Sequence, residues 1–158
     1  MKKILIALDF DPSAQRIAET GYQLARSMNA AVYLVHVTAD ATYYSSLNYS
    51  PIMGFDSFSN LDIVQSDAVT ELKQAAQDYL DKSRQHLGDE SIQTILKDGD
   101  FGESILEAAN EINADVIVMG SHSRRGLEKI LMGSVAEKVL HRSNIPMFII
   151  PTRTESEK

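Results

Sequence analysis

Short, nearly continuous apolar runs alternate along this chain with longer segments in which apolar residues recur every three or four positions. Ile4 to Leu8 is the first run and reads as a strand buried on both faces. After Pro12 and Ser13, the residues Ile17, Gly21, Leu24, Ala25 and Met28 follow helical spacing. Ala31-Val32-Tyr33-Leu34-Val35-His36-Val37 reads as a second strand. Residues 61 to 87 predict one long helix, with Ile63, Val64, Val69, Leu72, Ala75, Ala76, Tyr79, Leu80 and Leu87 on successive turns and Gly88 as its stop. Ser91 to Leu96 alternates, which predicts a third strand near a sheet edge. Gly102 to Ile112 predicts a third helix, Asp115 to Met119 a fourth strand stopped by Gly120, and Leu127 to His141 a fourth helix. Met147-Phe148-Ile149-Ile150, bracketed by Pro146 and Pro151, predicts the fifth strand.

Five strands interleaved with four helices predict an α/β fold: a parallel sheet, helices on both faces, right-handed crossovers. Residues 1–151 are expected to form one domain, with 152–158 a polar tail. Residues 39–60 carry Tyr43, Tyr44, Tyr49, Phe55 and Phe58 in a polar setting; this connection is too long for an ordinary βα loop and reads as a functional flap or a partly disordered segment.

Composition narrows the function. With 158 residues the chain can bury a core without staples, and with no cysteine it has no disulfide, thiolate metal site or Cys nucleophile. The net charge of −7 argues against sequence-independent nucleic-acid binding. Asp9 and Asp11 end the first apolar run too early for a signal peptide or a membrane span, so the expected location is cytoplasmic. No two histidines have metal-ligand spacing, and no metal site is expected.

In open parallel sheets, ligands sit beyond the carboxyl ends of the strands where the strand order reverses. Asp9 ends the first strand, Val37 and Thr38 the second, and the fourth runs into Gly120-Ser121-His122-Ser123-Arg124-Arg125-Gly126, ahead of Gly133-Ser134. A glycine at a strand end lets backbone approach a ligand, and a loop entering a helix offers N–H groups and the positive dipole end to phosphate. Gly133 inside a helical pattern costs about 1 kcal/mol relative to Ala, which suggests a break there, with Ser134 capping a new helix. Each feature has a plainer reading: Asp9 as a turn residue, Arg124 and Arg125 as a solvated turn, His122 as a bystander. His36 is expected to be a buried, hydrogen-bonded strand residue, and His86 and His141 to be helix-end residues.

The stretch from Val116 to Ile150 resembles the C-terminal half of the universal stress protein family. The family motif is glycine, two residues, glycine, nine residues, then Gly-Ser or Gly-Thr; here Gly120 and Gly133-Ser134 match, and Ser123 replaces the second glycine. The N-terminal strand ending in Asp9 and the strand ending in His36-Val37 are also similar to the family, so the likeness covers nearly the whole chain. It implies a doubly wound five-stranded sheet of order 3-2-1-4-5, a three-layer sandwich of the adenine nucleotide alpha hydrolase-like or flavodoxin-like kind. It further implies that Asp9 holds ribose or adenine, that Ala7, Leu8, Val37 and Met119 wall the adenine pocket, and that Gly120, Ser123, Gly133, Ser134 and the backbone of Val135 hold phosphates, with His122 and Arg124 at hand. The implied ligand is ATP, or ADP or AMP, with Mg2+, in a homodimer joined through Met147, Phe148, Ile149 and Ile150. Family members that bind no nucleotide keep a second reading open, that of an interaction protein. A slow ATPase or kinase is a third, although no Walker lysine or kinase glycine loop is present. A phospho-receiver domain is a fourth, disfavoured because Pro151-Thr152 occupies the place of the lysine such domains need.

Overall fold

The computed structural model describes residues 1–10, 12–38, 61–121 and 132–152, with the side chains of the long second helix described from Thr70 onward. Strands β1 (Lys3–Ala7), β2 (Ala31–Thr38), β3 (Gln93–Asp98), β4 (Val116–Gly120) and β5 (Met147–Ile150) pair in parallel in the order β3-β2-β1-β4-β5. Helices α1 (Ala14–Ser27) and α2 (Leu61–Leu87) cover one face, and α3 (Phe101–Ile112) and α4 (Ser134–Arg142) the other.

The apolar runs become central strands because both of their faces meet helices. Ile4 and Ile6 point to the α1/α2 layer and Leu5 to the α3/α4 layer, and all three are fully buried. Burying each such side chain contributes about 1.5–3 kcal/mol. The more polar third strand lies at one edge, where its outer side pairs with no described strand, and β5 lies at the other.

Beyond one-residue shifts at other ends, three boundaries differ. The strand expected over 91–96 is Gln93–Asp98, because the Asp89 carboxylate accepts from the Ser91 N–H (2.9 Å) and holds a turn there, while pairing with β2 runs on through Val37↔Lys97 and Thr38↔Asp98. The helix expected from Leu127 begins, among the described residues, at Ser134; Gly133 is its N-cap at φ −68°, ψ 160°, so Ser134 is its first residue and not its cap. Thr152, assigned above to the tail, is half-buried and donates its N–H to Ser121 Oγ (3.2 Å), which joins it to the end of β4. Residues 39–60 and 153–158 lie outside the described residues.

Candidate functional site

The order of the strands places the reversal between β1 and β4: the chain leaves β1 toward β2 on one side and later returns to β4 on the other. The carboxyl ends of β1, β2 and β4 are therefore neighbours, and they bring Ala7, Leu8, Asp9, Val37, Met119 and Gly120 to one rim of the sheet. Ala7, Val37, Met119, Met132 and Val135 all pack in the α3/α4 layer, which makes an apolar wall beside the rim. Leu8 does not join that wall. It is buried in the opposite layer with Ile17 and Ala14, so only its backbone faces this side.

Gly120 has a packing reason to be glycine. A Cβ there would lie 2.5 Å from Ile17 Cδ1 and 2.7 Å from Thr152 Cγ2. The sequence-based expectation of a ligand approach is not needed to explain it. Beyond Gly120, the Ser121 N–H donates to the Ile150 carbonyl (2.9 Å), and the Gly133 N–H donates to the Ser121 carbonyl. These bonds set the start of α4 against the end of β4. Among the described residues no side chain caps α4, and the N–H groups of Ser134, Val135 and Ala136 have no carbonyl one turn earlier within the helix to accept them. They point from the positive end of the helix dipole, an arrangement suited to an anion. Ser134 is exposed and Gly133 buried. His122, Ser123 and Arg124 lie outside the described residues.

The loop after β1 is held from the α1/α2 side. His36 is only 4% exposed, as expected for a strand histidine, and its Nδ1–H donates to the Leu8 carbonyl (2.7 Å). Burial pushes its imidazole below the ordinary value, against the opposing pull of that hydrogen bond. Its Nε2 is buried with no hydrogen-bond partner among the described residues. The Tyr79 hydroxyl of α2 donates to the Asp9 carbonyl, and the Phe10 ring sits 4.3 Å from His36 and 4.9 Å from Tyr79. Sequence reasoning passed over Phe10 and read Tyr79 as a helix core position; the one available signal was an aromatic residue directly after Asp9.

A family model described as the universal stress protein family matches residues 1–151. The chain belongs to the universal stress protein family. A universal stress protein of Methanocaldococcus jannaschii, MJ0531, is 30% identical over 94% of this chain and 81% of its own length. Among solved structures, the protein MJ0577 of the same organism superposes with a TM-score of 0.75 at 24% identity, covering 98% of each chain. A universal stress protein solved in complex with cAMP superposes with a TM-score of 0.60 at 20% identity, over 96% of this chain and 98% of that one. Family membership rests on the sequence match, and the superpositions show the same fold. His86, expected at a helix end, lies in the last turn of α2 and meets Glu19 Oε1 at 2.7 Å, away from the rim.

Proposed function

We propose that this universal stress protein binds an adenine nucleotide at the joined ends of β1, β2 and β4 and works as a regulatory module in the stress response. One observation carries the reading: an uncapped helix N-terminus, hydrogen-bonded through Gly133 to the end of β4, stands beside an apolar wall of Ala7, Val37, Met119 and Val135. An adenine base needs an apolar slot, its phosphates need N–H donors, and the ribose needs an acceptor such as Asp9. In this reading Gly120, Gly133, Ser134 and the Val135 backbone lie along the phosphates, with His122, Ser123 and Arg124 available from the loop. The cAMP held by a family relative is of the same ligand class.

ATP, ADP and AMP share the base and ribose and differ in how far they reach along the α4 N-terminus. Among the described residues no cluster of three metal-ligating side chains occurs. Mg2+ accompanying ATP would accordingly be held mainly by phosphate oxygens and water, its usual habit. The protein's own residues would bind and orient the nucleotide, and no described side chain is set up as a general base; binding is the proposed activity, with hydrolysis at most slow.

The acting unit is a cytoplasmic homodimer in which residues 1–151 form one domain and nucleic acid plays no part. The sheet ends at β5, whose outer edge has no described neighbour, and Phe148 on it is 40% exposed. An unpaired apolar edge suits antiparallel pairing with a second copy about a two-fold axis. No described helix is long and apolar enough to cross a membrane.

Titration calorimetry of the purified protein with ATP and Mg2+, with ADP and AMP in parallel, tests the binding. A saturable heat at one site per chain supports it. Absence of binding at millimolar nucleotide, in protein shown free of co-purified adenine by its ultraviolet spectrum, leaves the interaction-protein reading.

A further inference from the structure

Asp9 lies in a segment where the sheet has stopped giving support. The last ladder bond of β1 is the Leu8 N–H to the Val35 carbonyl (2.9 Å), and Phe10 already lies in a bend. Yet Leu8, Asp9 and Phe10 are each gripped. His36 Nδ1 holds the Leu8 carbonyl, the Tyr79 hydroxyl holds the Asp9 carbonyl, and the Phe10 ring lies against both of those side chains. The Leu8 carbonyl defines the peptide plane before Asp9 and the Asp9 carbonyl the plane after it. Peptide units are planar, so holding both planes fixes φ and ψ of Asp9 and hence the direction of its Cα–Cβ bond.

We propose that His36 and Tyr79 are positioning residues of the nucleotide site, which set the direction in which the Asp9 side chain leaves the backbone by holding the carbonyls of Leu8 and Asp9. The proposal rests on the nucleotide-binding reading above. His36 is a poor choice for stability alone. An aliphatic residue at this strand position would pack without a polar atom, whereas the imidazole leaves Nε2 buried with no partner among the described residues, which is costly. The tyrosine hydroxyl likewise adds nothing to packing that phenylalanine lacks. What both groups supply is a loop ordered before ligand arrives, which removes an ordering cost from binding.

Three variants test the arrangement, each measured by calorimetry with ATP and Mg2+ and by thermal melting. Tyr79→Phe keeps the ring and removes the hydroxyl. His36→Leu removes the Nδ1 donor, and His36→Asn restores a donor at nearly the same place. Tyr79→Phe and His36→Leu should each weaken ATP binding about tenfold, and His36→Asn should return to within about threefold of the unmodified protein. Binding by all variants equal to that of the unmodified protein overturns the positioning role while leaving the site intact. Affinity losses that simply follow the fall in melting temperature, with no rescue by His36→Asn, overturn it as well. If the unmodified protein binds no ATP, the site reading itself fails, and this role with it.

Discussion

Ile17 of α1 occupies the space that a side chain at Gly120 of β4 would need: an added Cβ would stand 2.5 Å from Ile17 Cδ1. The same Cβ would press on Thr152, so relief requires movement on two sides. Overpacking of this kind costs about 1–3 kcal/mol. Gly120→Ala is expected to lower the melting temperature by about 2–4 °C for each kcal/mol lost, with no nucleotide present. An unchanged melting curve combined with lost ATP binding would reassign Gly120 from packing to ligand approach.

Ser134 allows stability and binding to be pulled apart. It is exposed, and it is the first residue of the uncapped helix α4. A carboxylate in a first turn interacts favourably with the helix dipole by about 0.3–1 kcal/mol. The same charge repels phosphate. Ser134→Asp should melt at or slightly above the unmodified temperature while binding ATP at least about tenfold more weakly. Equal ATP affinity in the two proteins would place the phosphates elsewhere.

His36 gives stability a pH dependence of known sign. Its folded-state value is pushed down by burial from an ordinary value of about 6.5. The unfolded chain therefore takes up a proton before the folded one does, and stability falls as pH drops below about 6.5, by up to about 1.4 kcal/mol per pH unit, until the folded value is reached. Its described ring neighbours are the aromatic rings of Phe10 and Tyr79. The carboxylates held low, Glu19 by His86, Asp89 by Ser91 and Asp100 by Lys138, contribute stability that is lost only below their ordinary 4.5, 3.8 and 3.8, so the two windows are separate. Urea unfolding at pH 7 and pH 5.5 should show a loss for the unmodified protein and a smaller one for His36→Asn. Equal losses would mean that another group titrates.

The edge strand can be tested at Phe148 with little harm to the core. Ile149 packs against the α3/α4 layer, so Ile149→Lys would damage folding as well as any dimer. Phe148 is 40% exposed and belongs to neither buried cluster. Phe148→Glu should shift sedimentation from dimer to monomer at micromolar concentration while keeping the melting temperature close to the original. An unmodified protein that sediments as a monomer defeats the edge-pairing proposal.

Much of the fold could be read along the chain, because a strand buried on both faces must be apolar at successive positions, and Ile4-Leu5-Ile6 and Val116-Ile117-Val118 are. The alternation of such runs with helical periods dictates the parallel class, and the spacing of Gly120 from Gly133-Ser134 marks the family. Local pattern was weakest where tertiary bonds set the ends. The start of β3 was decided by the Asp89 turn and its end by pairing with Thr38. The break at Gly133 was visible as a glycine in a helical period, but its bond to the Ser121 carbonyl was not.

By itself, then, the sequence determined the elements, their class and the residues at the strand ends, since these follow from periodicity and from chemistry carried by each residue. The side of the sheet on which each residue lies came from the packing of the layers. That packing puts Leu8 among Ile17 and Ala14, gives Gly120 to Ile17, and closes Tyr79 and His36 on the carbonyls beside Asp9. Tyr79 and Asp9 are 70 positions apart, and the β1–α1 turn and α2 meet only because both lie on one face of the sheet. Nothing in the local sequence around either residue encodes that meeting; it exists only once the layers have packed.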